Sequence, residues 1–240
     1  MRIPVIQGLI DRRILVNYRV DPEVLKKLLP QPFRAKTIND VGIAGICLIR
    51  LKDIRPSGFP GSVGISSENA AHRIAVEWEE QGKVREGVYI PRRDTSSRLN
   101  TLLGGRVFPV IQHHGNFNVD ERDGRYRIII GSDDGSTRVA VEAEIASALP
   151  ESSVFGTLDA ASAFFEKGAI GYSPSVSTEL QGIELRSFKW KVEPLRVTRV
   201  ESSFFENQQV FPPGSVEFDC ALLMREIAHE WHAQQSLQVA

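Results

Sequence analysis

The sequence predicts one α+β domain that is mainly antiparallel β, closed or half-closed into a barrel with a few peripheral helices. Three observations predict it: many segments alternate apolar and polar residues, short turns join them, and only two or three segments carry helix start and stop signals. Antiparallel sheets of this kind often remove their exposed edges by closing. We find no repeat and no linker, so residues 1–240 are expected to form a single domain.

Eight segments have the pattern of strands. Most alternate in the way of strands with one buried face, whereas residues 41–51 are continuously apolar and are expected to be buried on both faces. The eight segments are residues 12–20, 41–51, 67–80, 85–91, 111–120, 125–131, 137–146 and 183–195. The tail at 218–234 stays open between helix and strand, because a helical period suits its first half and a strand period its second half.

Three segments are predicted as helices. The first begins with Asp21 as the N-cap and Pro22 at the first helical position, and Pro30 ends it. The second, at 95–105, has a Thr or Ser cap and a Gly-Gly stop, and the third, at 157–168, also ends in glycine. Three short helices cannot form a layer of their own against so many strands, so we expect them at the periphery.

The composition is that of an ordinary soluble protein and excludes several classes of function. The formal net charge is -1 and the basic residues are scattered, which argues against a nucleic-acid surface. No apolar run would cross a membrane and the N-terminus is not a signal peptide, so a cytoplasmic location is expected. Cys47 and Cys220 are expected to be buried and free, without a disulfide or a thiolate zinc site. No nucleotide fingerprint follows a strand, so no cofactor is predicted.

Two adjacent histidines, His113 and His114, interrupt an apolar segment. In a strand they point to opposite faces and cannot both bind one metal ion without a bulge. Each is either a hydrogen-bonded structural histidine or a group for acid–base chemistry. The sequence "HEWH" at 229–232 lacks a nearby third ligand, so we predict an ordinary terminal element there and no metal site.

Three charged residues stand at positions where a ligand contact is plausible. Glu68 begins an apolar strand face, where a carboxylate must be paired or its pKa rises to a range useful for acid–base catalysis. Arg12 also begins an apolar face, and its planar guanidinium suits either Glu68 or a substrate carboxylate. Arg92 precedes the predicted helix at 95–105, whose N-terminus would attract anions. Each of the three is equally compatible with a solvated surface position.

Several segments resemble the acetoacetate decarboxylases. "RRILVNYRVDPEVLKKLLPQPFRA" resembles their opening, and "SSENAAHRIAV" resembles the segment of their pocket glutamate, with Glu68 in its place. "GGRVFPVI" resembles their lysine segment. "GVYIPRRDTSSRL" and "ALLMREIAHEWH" are similar to the YqjF-like branch of this superfamily. The resemblance implies a cone-shaped antiparallel β-barrel with a central pocket.

The resemblance ends at the decarboxylase lysines. In that family an aromatic-Pro pair is followed by two lysines, of which the first forms a Schiff base with the β-keto acid and the second lowers its pKa. Here Val110 and Ile111 stand at these positions, and an alkyl side chain cannot form an imine. Lys189 and Lys191 are the candidates for a relocated lysine, but they share a face expected in solvent. We therefore expect no Schiff-base decarboxylation.

The favoured function is binding of a small anionic or carbonyl-bearing metabolite, by a single chain or a homo-oligomer. The expected ligand-binding residues are Arg12, Glu68, Arg92, Phe108 and His114. One alternative is a lysine-independent lyase, hydratase or tautomerase acting on a small keto or carboxylic acid, with Glu68 and His113 or His114 as acid and base. The other is a non-catalytic structural barrel whose interior is filled by aromatic side chains.

Overall fold

The computed structural model describes residues 4–60, 64–98, 101, 110–175 and 179–238. Within these residues the chain forms thirteen strands and two helices. The strands are Ile6–Val20 (β1), Arg34–Ala35 (β2), Thr37–Ile38 (β3), Val41–Pro56 (β4), Ile65–Glu80 (β5), Lys83–Thr95 (β6), His113–Arg122 (β7), Arg125–Ser132 (β8), Arg138–Ile145 (β9), Ile170–Pro174 (β10), Glu179–Ser187 (β11), Glu193–Ser202 (β12) and Val216–Gln238 (β13). The helices are Pro22–Leu28 (α1) and Leu158–Glu166 (α2).

The sheet closes on itself by two routes. Strands β13, β1, β4, β5 and β6 lie side by side in that order and are called here the central strands. From β6, the path through β7, β8, β9 and β12 returns to β13, and a second path through β10 and β11 also returns to β13. Most neighbours are antiparallel, while β6 pairs in parallel with β7 and with β10. The predicted half-closed, mainly antiparallel barrel is therefore confirmed.

The central strands bury apolar side chains on both faces, as alternation requires. On β1, Ile14 and Val16 belong to a first core that continues onto β8, β9 and β12. Leu15, between them, belongs to a second core that packs against α2 through Phe155 and Phe165. Because both faces are covered, a polar side chain on either face of these strands is removed from water and needs a partner.

Most predicted elements are present. The N-terminal strand, the apolar strand, the hairpin of 67–91 and the three strands between 111 and 146 are confirmed, and Asp21 caps α1 through a hydrogen bond from the Glu23 N–H to its Oδ1 (2.8 Å). Helix α2 confirms the segment at 157–168. Of the helix predicted at 95–105, residues 99–100 and 102–105 lie outside the described residues, and Thr95 is the last residue of β6 and not a helix cap.

The prediction of one strand at 183–195 is wrong. The segment forms the end of β11 and the start of β12, and Phe188 between them is 68% exposed. The two strands pair with different parts of β13, which runs unbroken over 23 residues and resolves the ambiguous tail as strand. An alternating pattern does not reveal where a chain leaves one partner strand for another, because both strands keep the same period.

Cys47 and Cys220 are buried and free, as predicted. Among the described residues, no helix has the length and apolarity needed to cross a membrane.

Candidate functional site

Four charged side chains form an ion-pair cluster on the first-core face of the central strands, and Asp11 adjoins it with its Oδ2 3.5 Å from Arg50 Nη1. Arg12 Nη2 donates to Glu68 Oε2, and Arg12 Nη1 lies 2.9 Å from Glu121 Oε1. Arg50 Nε lies 2.5 Å from Glu68 Oε1, and Arg50 Nη2 lies 3.0 Å from Glu121 Oε1. Two guanidinium groups thus share two carboxylates.

Strand register assembles this cluster. Arg50 is the register partner of Arg12 on one side and of Glu68 on the other, while Glu121 reaches in from β7. Arg12 is only 1% exposed, so its charge depends on these carboxylates. The Arg12–Glu68 pair can be anticipated from the sequence. The sequence does not indicate Arg50 and Glu121, because their contact with this pair depends on which strands become neighbours.

A second polar cluster surrounds Arg92. This residue lies within β6, not in a loop before a helix, and its Nη2 is 2.7 Å from Asp94 Oδ1. Its Nη1 is 3.0 Å from Asp134 Oδ2, which also lies 3.2 Å from His113 Nδ1. Hydrogen bonds from Arg92 and Ser132 hold the pKa of Asp134 well below its usual range. Arg92 is thus occupied by two carboxylates of the chain itself.

The two adjacent histidines contact different aspartates. His113 is paired with Asp134, and His114 Nδ1 lies 2.7 Å from Asp133 Oδ2. Glu68 is engaged by two arginines and has no hydrogen bond to either histidine. Within the described residues the structure does not join Glu68 and a histidine into an acid–base pair, and Phe108 lies outside those residues.

Two other histidines are buried in the central strands. The ring Nε2 of His72 lies 3.2 Å from Ser202 Oγ, and burial together with the charge of Arg92 lowers the His72 pKa to about 3. His229 packs against the Trp231 ring at 4.6 Å between centroids, and burial lowers its pKa to about 4. Both imidazoles are therefore neutral at pH 7.

Three arginines on the second-core face lack a carboxylate. Among the described residues their guanidinium groups contact only neutral polar atoms and one aromatic ring. The hydrogen-bonded pairs are Arg13 Nε with Cys47 Sγ (3.2 Å), Arg73 Nη2 with Asn17 Oδ1, and Arg93 Nε with Ser173 Oγ (2.9 Å). Arg73 is 4% exposed and stacks over the Phe165 ring at 4.9 Å, while its Nε has no partner in the described part of the chain.

The guanidinium groups of Arg73 and Arg93 remain charged at neutral pH. Burial lowers the pKa of Arg73 and of Arg93 to about 10, still far above 7. A buried charge without a counter-charge is unfavourable by several kcal/mol even after relaxation. The sequence does not indicate Arg13 and Arg73 as ligand contacts, because alternation does not reveal that α2 covers their face of the strands. It does indicate Arg93, which adjoins Arg92 at the same junction before the predicted helix.

A small cavity opens beside two of these arginines, and we call it the arginine cavity. Its volume is about 20 Å³, and its lining includes Arg13, Lys36, Arg73, Glu86, Phe164 and Phe165. Lys36 Nζ lies 2.6 Å from Glu86 Oε2 and 4.1 Å from the centroid of the Phe164 ring. In this conformation the cavity holds about one water molecule.

A larger pocket of 470 Å³ lies at the outer ends of β7, β8 and β9. Its arginines are paired within the chain: Arg125 with Glu144 at 3.6 Å and Arg127 with Glu142 at 3.5 Å. Because these arginines already have carboxylate partners, the pocket presents fewer unpaired charges to an anionic ligand than the arginine cavity does. No group of three or more His, Cys, Asp or Glu side chains in the described ranges is arranged to hold a metal ion.

Val110 and Ile111 are the residues at which the resemblance expects the two decarboxylase lysines. Val110 is buried and Ile111 is exposed, with its N–H donating to the Pro174 carbonyl at 3.3 Å. Lys189 and Lys191 are both exposed, as expected, but they lie in the connection between β11 and β12 and not on a strand face. Lys36, which lines the arginine cavity, is ion-paired with Glu86.

Comparison with known proteins places the fold. The crystal structure of acetoacetate decarboxylase from Legionella pneumophila matches with a TM-score of 0.62 and 10% identity, over 97% of this chain and 88% of that one. An acetoacetate decarboxylase-like enzyme from Sphingomonas wittichii RW1 matches with a TM-score of 0.60 and 12% identity, over 100% and 94%. The enduracididine biosynthesis enzyme MppR complexed with pyruvate matches with a TM-score of 0.62 and 11% identity, over 100% and 91%.

The structural matches establish an acetoacetate decarboxylase-like fold for this chain, as the resemblance implied. No curated protein matches it by sequence. The model of the family DUF2071, described as an uncharacterized conserved protein, matches residues 10–223. The chain therefore belongs to the DUF2071 family.

Proposed function

We propose that this protein binds a small carboxylate, or an anion of similar size, in the arginine cavity. The observation that carries this proposal is Arg73, a buried guanidinium with no carboxylate partner among the described residues. Arg13 lines the same cavity, and within the described part of the chain its guanidinium hydrogen-bonds only to the Cys47 thiol. An anionic ligand would supply the missing counter-charge, and the planar guanidinium is well suited to a carboxylate.

The contrast with the other arginines supports this location. Arg12 and Arg92 each contact two carboxylates of the chain, so a ligand carboxylate would have to displace an existing ion pair. Arg13 and Arg73 have no such pair to displace. We therefore propose that the anion binds beside Arg13 and Arg73, on the face of the central strands opposite to Arg12 and Arg92.

The relatives in fold are consistent with a small ligand. MppR was determined in complex with pyruvate, a small oxo acid, and other members of the fold are acetoacetate decarboxylases. With Val110 and Ile111 at the lysine positions, we propose that the ligand is held here by ion pairs and hydrogen bonds and not through an imine at those positions.

The enzymatic alternative receives less support. A general base must reach the proton that it removes and must be free to accept it. Glu68 accepts a hydrogen bond from Arg12 on one carboxylate oxygen and from Arg50 on the other, so neither oxygen is free to take a proton from a substrate. His113 and His114 are paired with aspartates, so binding is the better supported function.

Replacing Arg73 by Met is expected to abolish anion binding with little net change in stability. The variant removes a buried charge that has no counter-charge, which is favourable. It also leaves the buried Asn17 Oδ1 without its donor, which costs about 1–3 kcal/mol, so the two effects oppose each other. In the wild type, a ligand at 100 times its Kd should add about 2.7 kcal/mol to the free energy of unfolding. Thermal unfolding with acetate, pyruvate, oxalate and inorganic phosphate measures both effects.

Arg12→Met is the matched control. Like Arg73→Met, it removes a buried guanidinium, in this case from β1. Glu68 and Glu121 then lose an ion-pair partner, so the variant should be less stable than the wild type. It should keep the stabilisation by ligand, because Arg12 does not line the arginine cavity. If the Arg73→Met protein keeps the full ligand shift, or if no anion shifts the wild type at any concentration, the proposed site is wrong.

A further inference from the structure

The arginine cavity is too small for its proposed ligand as it stands. A volume of about 20 Å³ accommodates one water, whereas even acetate has four heavy atoms. Some part of the lining must therefore move when an anion enters. Arg13 and Arg73 extend from the central strands, so the side chains with freedom to move are those at the opposite rim.

That rim is formed by an ion pair. Lys36 Nζ and Glu86 Oε2 are 2.6 Å apart, and their side chains are 12% and 30% exposed. Lys36 follows the two-residue strand β2, so its backbone has few strand contacts, and its ammonium lies over Phe164 of α2. The pair therefore connects the rim to the helix that covers the arginines.

The rim also holds an opposing charge. Glu86 is the one carboxylate among the described residues that line the cavity, whose other charged residues are Arg13, Lys36 and Arg73. A carboxylate at this place occupies the ammonium that an incoming anion would use, and it repels that anion directly. Like charges brought together in a partly desolvated site are strongly unfavourable.

We propose that Glu86 is an internal counter-ion that gates the arginine cavity and sets its selectivity against anions of higher charge. In the empty protein Glu86 holds Lys36 across the rim. When an anion enters, Lys36 leaves Glu86 and contacts the ligand, while Glu86 turns to solvent. This inference rests on the proposed anion-binding function and adds to it a residue that decides which anions bind.

Glu86→Gln should therefore tighten binding, and more so for dianions than for monoanions. We expect the affinity for oxalate and for inorganic phosphate to rise at least tenfold, and that for acetate and pyruvate two- to fivefold, because repulsion by Glu86 grows with ligand charge. Isothermal titration of wild type and variant with these four anions gives the ratio directly. The oxalate and phosphate arms also distinguish a carboxylate ligand from a phosphate ligand.

Two further variants test the mechanism. Glu79→Gln removes an exposed carboxylate of β5 that does not line the cavity and should leave all affinities unchanged. Lys36→Met should weaken binding at least fivefold if Lys36 moves to the ligand. If Lys36 remains with Glu86 in the bound state, Lys36→Met will have little effect and the gate is disproved.

The outcomes separate this inference from the proposed function. If the wild type binds an anion, Arg73→Met loses it and Glu86→Gln changes nothing or tightens all four anions equally, the anion site stands and the gate is wrong. If the wild type binds acetate or pyruvate, and Glu86→Gln in addition binds oxalate or phosphate that the wild type does not bind, both are supported. If neither protein binds any of the four anions, both are overturned.

Discussion

Glu68→Gln is expected to lower the free energy of unfolding by about 3 kcal/mol. The substitution preserves the shape of the side chain but removes a charge that faces Arg12 and Arg50. Arg12 is almost fully buried and would keep only Glu121 as a counter-charge. Removing one partner of a buried ion pair is far more destabilising than replacing the whole pair, because the other charge stays buried. Urea unfolding at pH 7 measures the difference.

Glu79→Gln provides the control on the same strand. Glu79 is exposed and its carboxylate lies 3.9 Å from Arg34, so its loss should change the free energy of unfolding by about 0.5 kcal/mol or less. Equal urea midpoints for Glu68→Gln and Glu79→Gln would show that the Arg12–Glu68–Arg50–Glu121 cluster does not stabilise the fold. If Glu68→Gln abolished the stabilisation by ligand without changing the stability of the empty protein, the anion-binding site would lie at Glu68 on the first-core face.

Acidification from pH 7 to pH 5 is expected to destabilise the protein by roughly 3 kcal/mol. Burial lowers the pKa of His72 to about 3 and of His229 to about 4 in the folded state, while an unfolded histidine titrates near 6.5. Between these values the unfolded chain binds more protons than the folded chain, so stability rises with pH. The contribution is complete above pH 7 and is lost as the pH falls through the unfolded value.

Between pH 7 and pH 5, the effect of the buried histidines on stability can be measured separately from that of Asp134. Asp134, whose pKa is lowered by Arg92 and Ser132, changes stability only near and below its ordinary range around 3.8. His72→Gln should reduce the slope between pH 7 and pH 5 by about half, and the stability of the wild type should be nearly constant from pH 7 to pH 8. A wild type equally stable at pH 5 and pH 7 would contradict the burial of neutral histidines, which the imidazole NMR signals report independently.

Much of the sheet could be predicted from the sequence, because strand period and turn residues are local properties. The alternation at 12–20 and 67–80 and the cap at Asp21 depend on residues close in the chain, and the structure contains each element. The single strand expected at 183–195 failed for the opposite reason. Its division between β11 and β12 is set by which stretch of β13 each strand contacts, and that choice is made across the sheet.

The charged residues also divide into those indicated by local sequence and those whose contacts depend on the tertiary structure. Glu68 and Arg12 were found from the sequence because an ionised group at the start of an apolar face needs a partner wherever it folds. The sequence could not supply Arg50 and Glu121, since strand order brings them to that pair. It also could not show that the polar face carrying Arg73 is buried.

The sequence by itself determined the strand-rich fold, the absence of lysines at positions 110 and 111, and the position of Glu68 and Arg12 at the start of apolar strand faces. Only the tertiary structure decided which arginines have such counter-charges. Covering the second face with α2 buries Arg73 beside Phe165 and leaves Lys36 and Glu86 at the rim. Local periodicity reports which side chains share a face, but the burial of that face depends on a helix more than eighty residues away in the chain.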